Sequence, residues 1–370
     1  MPDPLTSLRA RIAAIDAQML GLAAERFAVV REVGETKRAE GLPVRSFAAE
    51  ADVIARFRGI ARERGIPEDF AERLALQLIG GSVQLQEEEL SATSRAGAAA
   101  RRVTVVGGAG QMGRWIAGFF EGQGHDVSIY DPSGRVEGVR SLGSLREAVG
   151  VAEVLLLATP LGSGREVLAE TLALEPKGLV ADLFSLKSHV LDLLRGAAGN
   201  GIRVTSIHPL FGPDVRTLSG RVLAVCDCGD LAAADEMSSL FGDTALTVTR
   251  IPVERHDEFM QYVLGLSHLV SILFFTTLAE SGFSFQALET MASTTFHKQT
   301  RAAASVAGEN PDLYYEIQKL NRHSAELFER IRTSLKRIES AVHAGDSEPF
   351  ARLMEAGREF FPEVLPRELD

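Results

Sequence analysis

Residues 103–115 read Val-Thr-Val-Val-Gly-Gly-Ala-Gly-Gln-Met-Gly-Arg-Trp. A β-branched run, Val103–Val106, meets Gly108, Gly110 and Gly113 in a G-x-G-x-x-G spacing. The first glycine allows a tight turn, the second lets a pyrophosphate approach the backbone, and the third lets helix pack on strand. Gln111 and Met112 fall in the same turn and count with its glycines as cofactor-binding candidates, and a helix over Trp115–Glu121 follows. A helix N-terminus offers unpaired N–H groups and a positive dipole end to phosphate. The spacing alone is weak, because loops are glycine-rich. The strand before it, the helix after it and an acid about 20 residues on give it weight. That acid is Asp131, which ends the next apolar run, Val127–Tyr130. It suits ribose hydroxyls and repels a 2′-phosphate, so the turn predicts NAD rather than NADP. The alternatives are a purely structural turn and S-adenosylmethionine, whose ribose the same acid would hold.

Around this turn the chain alternates strand and helix. Val154–Ala158, Leu179–Asp182, Val204–Ile207 and Val222–Val225 are further apolar runs bounded by turn residues. Such alternation predicts a parallel, doubly wound sheet. Upstream, Leu5, Leu8, Ile12, Ile15, Met19, Leu22, Val29 and Val33 recur at helical spacing on one long helix. Asp3 or Thr6 would cap its start and Gly41-Leu42-Pro43 would end it. Further helices are expected over Phe47–Arg64 and Glu68–Glu89. A first helix of roughly 35 residues is about 50 Å long. A lone three-helix domain cannot hide its stripe, so it needs a partner chain or an equally long neighbour. Residues 91–102, SATSRAGAAARR, have no apolar periodicity and read as a linker. From about Val253 the chain is helical again. The expected division is an all-α domain over 1–90, a linker over 91–101, an α/β Rossmann domain over 102–252 and an all-α domain over 253–370.

The composition agrees. The 370 residues allow two or three domains, and 45% hydrophobic with 24% charged residues excludes a disordered or collagen-like chain. The net charge of −11 argues against a nucleic-acid partner, but a local cationic pocket remains compatible with an anionic metabolite. Cys226 and Cys228 flank one residue, a strained spacing for a disulfide, and no nearby histidine or further cysteine completes a metal set. They fit a reduced, cytoplasmic protein with no metal. The start, MPDPLTSLRARIAAID, has no secretory apolar run. Tyr262–Ala279 is about long enough to span a bilayer. It carries His268 and hydroxyls between acidic flanks, so a buried core or subunit-interface helix is expected, and no membrane partner.

Two polar clusters follow strands, where open parallel sheets bind ligands. One is Asp182-Leu-Phe-Ser185-Leu-Lys187 and the other is His208-Pro-Leu-Phe-Gly-Pro-Asp214. A histidine before Pro, then Gly-Pro, sits in a rigid turn, which is how a general base is held. A turn histidine that merely binds backbone is the plain alternative.

The chain resembles the T-proteins, the bifunctional chorismate mutase–prephenate dehydrogenases of tyrosine biosynthesis. VVGGAGQMGR, DLFSLKS, IHPLFGPD and ERHD come in that family's order and spacing, and the N-terminal section resembles its type II mutase domain. The resemblance implies that His208 takes the 4-hydroxyl proton of prephenate while hydride passes to NAD and CO₂ is lost. Ser185 matches the serine that orients this histidine, and Lys187 adds a cation to the anionic pocket. His256 matches a histidine lining the substrate's side-chain end; a helix-start histidine held by Asp257 is the plain alternative. Bifunctional relatives carry an arginine directly after an aromatic where this chain has Phe296-His297. Arg301, one turn beyond His297, resembles the arginine of single-function relatives and suits a bidentate carboxylate clamp. Without that clamp the substrate would be an analogue such as 4-amino-4-deoxyprephenate.

A mutase must hold a dianion in a compact conformer and stabilise the breaking ether oxygen. Arg26 and Lys37 lie about three turns apart on one helix face, and Arg9 about 100° around it. In the family the residue matching Arg9 enters the partner subunit's site, which implies a homodimer. Ser82 and Gln86 match polar contacts, and Glu50 a carboxylate that meets the substrate hydroxyl. For one arginine a solvated face is the ordinary reading; the matched set argues for chorismate. Ala49 departs from the pattern, since relatives carry Arg before that Glu. A domain kept only for dimerisation is the alternative there.

Overall fold

The computed structural model describes residues 3–40, 47–94, 100–215, 217–242 and 244–361. They form two units, one of residues 1–185 and 190–253 and one of residues 186–189 and 254–370.

The first unit opens with three helices, α1 (Pro4–Ala39), α2 (Phe47–Arg64) and α3 (Glu68–Ser94). The backbone N–H of Leu5 donates to Asp3 Oδ1 at 3.3 Å, so Asp3 supplies the expected cap. The stop proposed at Gly41-Leu42-Pro43 lies outside the described residues. The helix α3 runs five residues past its expected end, so Ser91–Ser94 are helical rather than linker; residues 95–99 lie outside the described residues. The stripe from Leu5 through Val33 is exposed along α1.

An α/β section follows, with β1 (Arg102–Val106), α4 (Gln111–Gly122), β2 (Asp126–Tyr130), β3 (Arg140–Ser141), α5 (Leu145–Val151) and β4 (Val154–Leu157). It continues through α6 (Leu161–Ala173), β5 (Leu179–Asp182), α7 (Leu191–Gly199), β6 (Val204–Pro209), β7 (Val222–Asp227), α8 (Leu231–Ser239) and β8 (Thr247–Pro252). The strands form one sheet in the order β3-β2-β1-β4-β5-β6-β7-β8. The central strands β4 and β5 are buried at every residue, as a sheet covered on both faces requires. The expected all-parallel sheet needs one correction: β7 runs antiparallel to β6, and β8 is parallel to β7. The connection from β6 to β7 carries no crossover helix among its described residues, so the strand returns alongside.

The turn after β1 is shaped by steric need. Gly107 has φ +83, a left-handed conformation that L side chains rarely adopt. A Cβ on Gly113 would lie 2.1 Å from Gly107 O, so only glycine lets α4 lie this close to the strand. Phe119 and Phe120 of α4 then pack against Phe241 at 5.1 and 5.6 Å between ring centroids.

The second unit contains α9 (Val253–Met260), a π-helical turn (Gln261–Leu266), α10 (Ser267–Ala279), α11 (Phe285–Glu289), α12 (Thr294–Ala307), α13 (Pro311–Leu320), α14 (Ser324–His343) and α15 (Glu348–Phe360). The stretch Val253–Ala279 is long and apolar enough to cross a membrane by length and composition. Only 11% of its apolar window is buried, with Val263, Val270 and Leu273 exposed. The core-helix alternative is therefore corrected, while the interface alternative is compatible with this exposure.

Gly113→Ala places a methyl against a backbone carbonyl that cannot move without shifting β1. The expected result is a stability loss of about 1–3 kcal/mol, read as a lower urea midpoint. An unchanged midpoint would contradict the close approach.

Candidate active site

Parallel strands end on one edge, and that edge collects the candidate groups of the first unit. Val106 pairs with both Tyr130 and Leu157, Leu157 with Asp182, and Asp182 with Ser206. The Gly107–Gly113 turn, Asp131, Asp182 and His208 thus all follow or end neighbouring strands. The order reverses at β1, whose successors lie on opposite sides, which opens the crevice where such sheets bind dinucleotides.

The turn fits a pyrophosphate. The helix α4 has Gly110 as its N-cap residue, which brings no side-chain cap. A Cβ on Gly108 would lie 2.6 Å from the Ile129 side chain, so the loop packs closely on β2. Asp131 Oδ2 accepts the Ala109 N–H at 3.0 Å, and Oδ1 accepts the Ser133 N–H and hydroxyl at 2.9 and 2.6 Å. Partial burial pushes its carboxyl up, but these donors and the Arg114 charge outweigh it and hold the pKa below the ordinary value. Asp131 is therefore an anion at neutral pH, suited to ribose hydroxyls. Gln111 and Met112 form the first turn of α4.

His208 is 4% exposed in β6, while Ser185 is half-buried beyond β5. Asp182 Oδ1 accepts the Phe184 N–H at 3.0 Å and turns the chain just before Ser185.

In the second unit His256, Asp257 and Lys187 are buried together. His256 Nδ1 lies 2.7 Å from Asp257 Oδ1. The Asp257 carboxylate also accepts the N–H groups of Lys187, at 2.9 Å, and Ser188, at 2.6 Å. Burial pushes the Asp257 carboxyl up, yet His256 and these donors more than offset it, so its pKa lies well below the usual range. Asp257 is more than the neighbour the sequence analysis used to explain His256, since it ties the Lys187–Ser188 segment to α9. His297 and Arg301 are exposed on α12. The half-buried His268 meets Tyr314 at 4.2 Å between ring centroids with the rings tilted by 36°, and burial lowers its pKa.

The three-helix section brings Arg26 and Ser82 together: Arg26 Nη1 donates to Ser82 Oγ at 2.6 Å and to Leu78 O at 3.1 Å. Gln86 Nε2 donates to Val30 O at 3.1 Å. Lys37 and Glu50 are half-buried. Arg9 is exposed and, at 1.5 Å per residue, about 25 Å along α1 from Arg26, too far to share its pocket within one chain. Burial, and then the charge of Arg56, lower the Arg26 pKa. Arg56 is not among the residues singled out from the sequence. It lies seven residues beyond Ala49, two turns along the same face of α2, and that period was the available signal.

Comparison with known proteins follows the same division. Residues 8–87 match the family chorismate mutase type II, and residues 252–356 match the prephenate dehydrogenase dimerization domain. A T-protein of Enterobacter agglomerans is 26% identical over 350 residues, 95% of this chain and 91% of its own length. A 4-amino-4-deoxyprephenate dehydrogenase of Streptomyces pristinaespiralis is 30% identical over 271 residues, 70% of this chain and 90% of its own length. The crystal structure of prephenate dehydrogenase from A. aeolicus, in complex with hydroxyphenyl propionate and NAD+, aligns with a TM-score of 0.59 at 19% identity. That alignment covers 71% of this chain and 98% of the other, and it shows a shared fold.

The Asp257 arrangement has a pH signature. Its folded pKa is depressed from an ordinary 3.8, so its contribution to stability is present above that value and is lost as pH falls through the folded pKa. Asp257→Asn is expected to cost roughly 3 kcal/mol at neutral pH and to flatten the stability decline below pH 3.8. Urea unfolding at several pH values measures both; parallel curves for variant and parent would contradict the assignment.

Proposed function

The chain belongs to the prephenate dehydrogenase family in its bifunctional form, fused to a type II chorismate mutase domain, and we propose residue roles for both of its reactions. It converts prephenate to 4-hydroxyphenylpyruvate by NAD-dependent oxidative decarboxylation, and its N-terminal domain rearranges chorismate to prephenate. The observation that carries the reading is the place of His208, a buried histidine at the end of β6 on the sheet edge that holds the glycine turn. T-proteins span nearly the whole chain, so the alternatives of an amino-analogue dehydrogenase and of an S-adenosylmethionine-dependent transferase are not favoured.

Gly108, Gly110, Gln111, Met112, Gly113 and Asp131 would hold NAD: the glycine turn would take the pyrophosphate and Asp131 the ribose. When bound, NAD supplies the acceptor for the hydride that leaves C4. His208, as a neutral imidazole, accepts the 4-hydroxyl proton as that carbon is oxidised. Loss of the ring carboxylate as CO₂ aromatises the ring, and His208 returns the proton to the phenolate oxygen. Ser185 orients the imidazole and the hydroxyl. Lys187, His256, His297 and Arg301 are assigned to the substrate's carboxylates and side chain, with Arg301 as the bidentate clamp.

The mutase needs no nucleophile. Arg26, Lys37 and the Arg9 of a second subunit hold the dianion, Ser82 and Gln86 donate hydrogen bonds, and Glu50 meets the hydroxyl. This requires a homodimer. The exposed stripe on α1 and the exposed face of Val253–Ala279 supply apolar surface for one. Two buried thiols, Cys226 and Cys228, suit a cytoplasmic location.

His208→Asn is expected to lower NADH formation from prephenate by about 10³-fold while NAD affinity stays within about twofold. Retained turnover would remove His208 from the base role. Lys37→Ala is expected to abolish NAD-independent loss of chorismate and to spare oxidation of added prephenate. Unchanged chorismate loss in that variant would contradict the mutase assignment.

A further inference from the structure

Glu87 follows Gln86 on α3 and takes no part in either reaction as assigned above. It is only 9% exposed. Its Oε1 accepts the N–H of Ser219 at 2.6 Å and its Oε2 the N–H of Leu218 at 2.7 Å. Burying a carboxylate is costly unless hydrogen bonds replace its water, and two backbone donors do so here.

Those donors belong to the connection between β6 and β7, residues 210–221, which leaves β6 directly after His208 and Pro209. Its described residues carry no helix or strand. A connection of that length without its own structure holds a shape only if outside groups pin it. Three do so. The Leu210 N–H donates to Val222 O at 2.9 Å. Phe211 meets Trp115 of α4 edge-on at 5.0 Å. Glu87 holds the far end. The helix α3 turns one face, with Ser82 and Gln86, toward α1. Glu87, about 100° around the helix from Gln86, addresses the loop instead.

We propose that Glu87 is a positioning residue of the dehydrogenase: from the mutase domain, its carboxylate fixes the loop that leaves His208 and seats Phe211 on the dinucleotide helix. The dehydrogenase thereby depends on a residue outside its own α/β domain. The proposal rests on the reading of His208 as the base.

The test uses the full chain with Glu87→Ala and Glu87→Gln. Trp115 is the single tryptophan, so its emission reports the loop without any turnover. In Glu87→Ala, Trp115 emission is expected to shift to the red and to become more accessible to acrylamide. The kcat for prephenate oxidation is expected to fall about tenfold, with chorismate turnover within about twofold of the parent. Glu87→Gln keeps an acceptor oxygen and should restore kcat to within about threefold. Unchanged Trp115 emission and quenching in folded Glu87→Ala would overturn the proposal. So would an unchanged kcat, or an equal fall of both activities in both variants. If the parent itself fails to oxidise prephenate, the function assigned to His208 falls, while the Trp115 measurement still decides whether Glu87 holds the loop.

Discussion

A parallel strand delivers its carboxyl end to the same edge as its neighbours, and the candidate dehydrogenase groups of the first unit follow from that constraint. The glycine turn, Asp131, Asp182 and His208 come from β1, β2, β5 and β6, far apart in sequence and adjacent along one edge. The crevice opens where the order reverses at β1. Gly113 sets its wall, since the missing Cβ lets α4 meet the Gly107–Gly108 backbone. Were β1 not central, or α4 displaced by a methyl, the nucleotide turn and the histidine would not share one face.

Carboxylates organise what the sheet brings together. Asp257 and Glu87 each accept two backbone N–H groups from one segment that lacks regular structure, and Asp131 accepts one from the glycine turn and one from its own following turn. Each replaces strand pairing as the means of fixing a loop. This gives the acidic excess of a chain at net −11 a second meaning. Some of its anions are structural acceptors turned inward, while Arg26, Lys37, Lys187 and Arg301 are the cations proposed above for the dianionic ligands.

Local patterns were readable in the sequence, and pairings across long separations were not. The glycine turn, its flanking strand and helix, and Asp131 lie within thirty residues and carry their own steric logic. The buried strands β4 and β5 showed as apolar runs for the same reason. The edge strand β8 did not, because Thr247–Pro252 is largely exposed and mixed in polarity. The direction of β7 depends on its partner, not on its composition. The role of Asp257 rests on donors seventy positions away, and that of Glu87 on donors more than 130 away. Arg56 was within reach, since its two-turn offset from Ala49 is a helical period. Tyr262–Ala279 shows the limit of hydropathy: apolar composition does not say whether a helix is covered by its own chain or by another.

The central claim is that one chain performs two successive reactions, and a single assay addresses it. Full-length protein is given chorismate and NAD, with no prephenate added, and NADH absorbance is followed. The account predicts NADH formation after a lag in which prephenate accumulates, and the lag disappears when prephenate is supplied. Absence of NADH from chorismate, whether or not prephenate is oxidised, would contradict it.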